Sequence, residues 1–225
     1  MIKYRMVFAA LFASAAIAGL CSNEAKAIRS MDNHLKDQAV PLLSLLAKMG
    51  EAYNCYFTVE AAWTNGEPAN QMESYLIFLP QDKKDLRSTL EYLQQKVPNF
   101  TYIANSSNRR IFHIIDARLS KQEGYGLTHV LKSVRFSGLV RDLPDFINKQ
   151  GATVGKAGMI DTRDASVQDF STTVKVQGQN LQVRSLLSNY LPLEKRDRII
   201  WIARTKLGKG EISQVQFRSV AIHAK

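Results

Sequence analysis

The residues able to do chemistry are few, and their spacing keeps them apart. His34, His113, His129 and His223 lie in four separate stretches, and none has another His or Cys three or four positions away. A metal site or a nucleophile with its base needs such groups to converge, so these histidines carry no ligand pattern. His113 alternates with Ile111 and Ile115, which predicts a half-buried strand with the histidine satisfied in the core. Cys55 sits among Tyr53, Tyr56 and Phe57 and reads as a small buried hydrophobe. Asp161 and Asp164 flank Arg163 in an irregular stretch. Paired carboxylates can do acid–base work, and an enzyme would need one of them in a cleft with His113; the charged-loop reading is preferred. Asp82-Lys83-Lys84-Asp85 and Glu194-Lys195-Arg196-Asp197-Arg198 mix signs as solvated turns do. The chain has no G-x-S-x-G, H-E-x-x-H or phosphate-cradling P-loop. The expectation is a protein without catalytic residues, metal or cofactor.

The elements that must position these groups follow from hydrophobic spacing. Leu42, Leu45, Leu46, Met49 and Tyr53 form one stripe of a helix with Pro41 in its first turn. Cys55–Glu60 (CYFTVE) predicts a strand, Ala61–Asn70 a loop around Asn65-Gly66, and Tyr75–Leu79 a second strand stopped by Pro80. Asp82 or Asp85 can cap a helix striped by Leu86, Leu90, Leu93 and Val97 and stopped by Pro98. Two strands, Phe100–Ala104 and Arg110–Asp116, then flank a polar turn at residues 105–108. Lys121–Gly126 (KQEGYG) is the best domain boundary. Beyond it come a strand at Ser133–Ser137, a helix through Leu143, Phe146 and Ile147 closed at Gly151, and a less regular stretch. A strand at Thr172–Gln177, a helix at Leu181–Leu191 and closing strands at Ile199–Ala203 and Gln214–Val220 complete the chain.

The second half replays the first. Leu86-Arg87-Ser88-Thr89-Leu90 matches Val183-Arg184-Ser185-Leu186-Leu187, and Tyr102-Ile103-Ala104 matches Trp201-Ile202-Ala203. The shared order of elements points to a tandem duplication, with Leu90 and Leu187 as equivalent buried positions. The expected fold class is α+β: two tandem small units, residues 28–120 and 127–225, each a sheet of three to four strands with two helices on one face.

Residues 1–27 read as an export leader. Lys3 and Arg5 precede the uncharged run Val7–Leu20, and Ala25-Lys26-Ala27 offers the small-x-small pattern before a cut that leaves Ile28 at the new terminus. The run is short for a membrane span, and no spanning segment is expected after cleavage. Cys21 raises lipidation, but the large Leu20 before it disfavours that route. Cleavage removes Lys3, Arg5, Lys26 and Glu24, so the formal charge falls from +10 to +8. An exported protein with that excess is drawn to anionic lipid, glycan or cell-wall polymer. Gly155-Lys156-Ala157-Gly158 has the G-x-x-G form that KH domains use on nucleic-acid backbones. Here it follows strand-like Thr153-Val154 instead of joining two helices, and export removes most RNA from reach, so nucleic acid is not the expected partner.

The segments Gln38–Glu60 and Tyr75–Asp116 together resemble the short N-terminal (STN) domain shared by secretins and TonB-dependent receptors. In that family a helix and strand lead to a second strand, a helix with paired leucines, an aromatic-bearing strand and a hairpin partner. Thr172–Val220 looks like the later half of the same pattern. The resemblance implies a periplasmic module of small α/β units that binds protein partners. It brings no invariant functional residue, and neither a secretin pore nor an outer-membrane barrel follows these units in the sequence. The function expected is a periplasmic or secreted interaction or assembly module acting on another envelope protein. The alternatives are a basic surface protein binding anionic lipid or polysaccharide, and an exported enzyme of unrecognised type.

Overall fold

The computed structural model describes residues 39–78, 85–122, 125–153, 160–161, 173–189, 198–208 and 213–217. In chain order these form β1 (Val40–Pro41), α1 (Leu42–Ala52), β2 (Tyr56–Trp63), the one-turn α2 (Gln71–Ser74) and β3 (Leu76–Ile77). Next come α3 (Leu86–Lys96), β4 (Phe100–Ala104), β5 (Ile111–Asp116), β6 (Val130–Leu139), α4 (Leu143–Thr153) and β7 (Ile160–Asp161). The last are β8 (Thr173–Gln182), α5 (Val183–Asn189), β9 (Ile199–Lys206) and β10 (Ser213–Phe217). The class is α+β, as expected.

Six strands make one sheet in the order β4-β5-β2-β9-β10-β7. Parallel β5, β2 and β9 lie at its centre, and the hairpins β4–β5 and β9–β10 are antiparallel. Central parallel strands are covered on both faces and so lack a polar side. This is why β2 is buried from Tyr56 to Ala62 and β9 from Ile199 to Ala203. The β2–β9 ladder runs from Phe57↔Ile199 to Trp63↔Lys206, with a bulge that leaves Ile200 as the extra residue. Strands from both halves therefore share one sheet, and two units with a sheet each are not confirmed.

Strand parity sorts the core into two clusters. Phe57, Val59, Ala61, Ile114 and Ile202 pack with α1 and α3, including Leu46 and Leu90. Tyr56, Ala62, Ile111, Ile115, Trp201 and Ala203 pack on the other face with α5, α4 and the ribbon β6–β8. Leu90 and Leu187 are both buried, at 1% and 0% exposure, but on opposite faces of the sheet.

Several local expectations are corrected, one at the helix expected from Leu181: Leu181 and Gln182 pair with β6, and the helix begins at Val183. The predicted loop at Ala61–Asn70 begins only after Trp63, because Ala61 and Ala62 are enclosed from opposite sides and hold the ladder to β9. The turn signal itself stands: Gly66 has φ +92°, which favours glycine. The second strand shrinks to Leu76–Ile77, paired with β1. The helix expected to close at Gly151 reaches Thr153. Asp85 is the observed helix cap, its Oδ1 accepting from the Ser88 N–H at 2.8 Å. The leader with Ala25, Ala27 and Ile28 lies outside the described residues, as do Cys21, His34, Gly155-Lys156-Ala157-Gly158, Asp164, Tyr190, Leu191, Glu194–Asp197 and His223.

Candidate functional site

The even positions of β2 place Thr58 and Glu60 on the face that carries α5, a polar pair inside an apolar layer. Glu60 is completely buried and meets Arg184 of α5, which is 5% exposed. Arg184 Nε donates to Glu60 Oε1, and Nη2 donates to Oε2 at 2.7 Å. Tyr125 donates its hydroxyl to Glu60 Oε2 at 2.9 Å. Burial and the adjoining Glu60 charge hold the Tyr125 phenol well above its usual value, so it stays a donor. Burial works against the Arg184 charge, but the Glu60 bond and charge outweigh it and raise its proton affinity. Glu60 is fully enclosed with both oxygens bonded, and Arg184 is nearly enclosed.

A second group adjoins it. His113 on β5 is 1% exposed, with Thr58 Oγ1 at 2.8 Å from Nδ1 and Asn105 Nδ2 at 3.2 Å from Nε2. Asn105 Oδ1 accepts from the N–H groups of Ser107 and Asn108, at 2.8 and 3.0 Å. That fixes the amide orientation, so Nδ2 donates to Nε2 and Nδ1–H must donate to Thr58. The histidine is a neutral core residue with both nitrogens used, as its alternation with Ile111 and Ile115 implies. Burial, and then the Arg184 charge, push its pKa down to about 3. Trp201 packs against its ring at 6.5 Å and donates Nε1–H to Ser188 Oγ at 3.2 Å, while Ser188 donates to the Arg184 carbonyl at 2.8 Å. The seam thus ties β2, β5, β9, α5 and the segment at Tyr125.

Two further arginines join elements at the sheet's far end. Arg204 forks onto Glu73, with both bonds at 2.7 Å. Arg118 donates to Asp116, Glu67 and the Ala62 carbonyl. Glu67, Met72, Tyr75, Val97, Asp116 and Arg118 line a cleft of about 110 Å³, large enough for a few waters and small for an organic substrate.

The sequence-derived chemistry does not converge. Four strand spacings separate β5, which carries His113, from β7, which carries Asp161: roughly 19 Å across the sheet. A His113–Asp161 cleft is thereby removed. His129 ends a 3₁₀ turn, and its Nε2 is buried without a hydrogen-bond partner among the described residues. Cys55 is buried, and desolvation pushes its thiol up to about 12 against the opposing fields of Arg198 and Arg110. Among the described residues no cluster of three His, Cys, Asp or Glu is placed to hold a metal, and no helix is long and apolar enough to cross a membrane.

Sequence reasoning missed Glu60, Arg184 and Tyr125. The signal for Glu60 was its parity with Tyr56 and Thr58; for Arg184, its place inside the stripe Val183–Leu187. Tyr125 stands in the expected boundary segment yet is 5% exposed.

Several large apolar side chains are exposed elsewhere on the surface. Leu76 and Phe78 are 61% and 60% exposed and Tyr75 36%, all beside the two-residue ladder β1–β3. Ile103 is 43% exposed on β4, the edge strand of the sheet. No family model, no curated protein and no solved structure matches the chain.

Proposed function

We propose that this chain is an exported envelope protein that acts by contact, an interaction or assembly module with no catalysis of its own. The observation that carries the reading is the pairing of polar groups bonded to one another inside with exposed apolar side chains outside. Glu60, Arg184, Tyr125 and His113 spend their hydrogen bonds on one another and on the core. Leu76 and Phe78, by contrast, stand in water at an edge, a pattern that marks contact surfaces. The helix-then-hairpin order in both halves, α3-β4-β5 and α5-β9-β10, supports a kinship with the STN pattern.

The second reading is binding of anionic lipid or polysaccharide through charge. It is favoured by the ribbon β6–β8, whose exposed side chains include Lys132, Arg135 and Lys175 and whose two strands contain no carboxylate.

Crosslinking of the tagged protein in its native envelope tests the first reading, with the mature terminus read by mass spectrometry. Recovery of an envelope protein, lost in a Leu76→Ser, Phe78→Ser variant, with Ile28 at the terminus, is the expected result. Lipid or glycan alone would select the second reading. Retention inside the cell with Met1 in place would sink both.

A further inference from the structure

Two guanidinium groups meet at one end of the sheet with no carboxylate between them among the described residues. Arg110 immediately precedes β5 and Arg198 immediately precedes β9, and the register brings both to the start of β2: Tyr56 pairs with Ile111 and Phe57 with Ile199. The backbone is pinned there, since Tyr56 N–H donates to the Arg110 carbonyl at 2.8 Å and Phe57 N–H to the Arg198 carbonyl at 2.7 Å. Both guanidinium groups lie over the Tyr56 ring, Arg110 at 5.4 Å and Arg198 at 5.0 Å from its centroid. Asn54, at φ +51°, accepts from both through Oδ1, from Arg110 Nη2 at 2.7 Å and Arg198 Nη1 at 3.3 Å. Its carbonyl takes Arg110 Nε–H at 3.1 Å.

Gly50 makes the approach possible. A Cβ there would overlap Arg198 Cβ and lie 2.9 Å from the Cys55 carbonyl oxygen, so glycine leaves room for the arginine stem to cross the end of α1. Arg118, Arg184 and Arg204 each face a carboxylate. Among the described residues, Arg110 and Arg198 face the Asn54 amide and the Tyr56 ring instead. The negative end of α1 and the face of Tyr56 offset their repulsion only in part. Of five N–H donors on each guanidinium, these bonds use two on Arg110 and one on Arg198. Arg110 is exposed and Arg198 half-buried, so the pair reaches the surface.

We propose that Arg110 and Arg198 form a binding site for a phosphate-type oxyanion, free or carried on a lipid headgroup, with Tyr56 as its floor. A tetrahedral oxyanion can present one pair of oxygens to each fork, which a lone carboxylate cannot do. The site is independent of the protein-contact reading, which rests on Leu76 and Phe78.

The test is the melting temperature of the mature protein titrated with inorganic phosphate at ionic strength held constant with sodium chloride. Ligand that binds the folded state alone raises it by mass action. Arg110→Gln and Arg198→Gln should each weaken the phosphate dependence by about tenfold. Lys175→Gln, which removes one exposed charge from the ribbon, should leave it unchanged. Cosedimentation with vesicles containing phosphatidic acid, whose monoester headgroup keeps three terminal oxygens, separates the sources. Binding lost in both arginine variants assigns a headgroup, and a phosphate response without vesicle binding assigns a soluble phosphate. No response beyond chloride, an equal response in the arginine variants, or an equal loss in Lys175→Gln overturns the site.

Discussion

Glu60 and Arg184 show what a buried charge pair does when it sits between a strand and a helix far apart in sequence. Removing one partner strands the other in a medium that cannot solvate it. Glu60→Gln is expected to cost about 3–5 kcal/mol in urea unfolding. Adding Arg184→Met to it should recover part of that loss, since the orphan charge goes too. His113 gives the fold a pH dependence. Its folded pKa, about 3, lies below the unfolded value near 6.5. The unfolded chain therefore takes the proton first, and the stability present above pH 6.5 is lost as pH falls toward 3. Between pH 7 and 5 this amounts to about 2 kcal/mol, read from the shift in urea midpoint. A His113→Gln variant should show a flatter profile over that window; an equal slope would assign the effect elsewhere.

At the scale of elements, α3 and α5 hold matching residues on opposite faces of one sheet. Leu90→Asp and Leu187→Asp each bury a carboxylate without a partner, and each is expected to destabilise by about 3 kcal/mol or more in thermal melts. A melt unchanged in either would mean that helix face is wrongly assigned. The stripes Leu42–Met49 and Leu86–Val97 were legible in the sequence because amphipathic spacing is local. So was the burial of His113, through its alternation with isoleucines. The seam was not legible, because Glu60 meets Tyr125 and Arg184 across 65 and 124 residues of sequence, through contacts that no local pattern records. The length of β2 was hidden for the same reason. Ala61 and Ala62 look like the start of a loop until β9 is laid beside them.

For the molecule as a whole, the β2–β9 ladder makes the halves depend on each other. Central strand β2 has β5 on one side and β9 on the other, and each face of the sheet is covered by helices. The protein should unfold in one transition, with Trp fluorescence and far-ultraviolet circular dichroism coinciding. Two resolved transitions would show that residues 28–120 and 127–225 fold as separate units.

The distant partner of β2 also sets when folding can finish. Thr58 is synthesised early and Trp201 late, and closing so large a loop is slow. Until the last quarter of the polypeptide exists, the middle of the sheet has a vacant flank and the seam around Glu60 lacks its arginine. A nascent chain built this way stays open while it is being made. On the export route proposed above, that delay would keep the chain in the open state a translocation channel accepts, an advantage written into strand order.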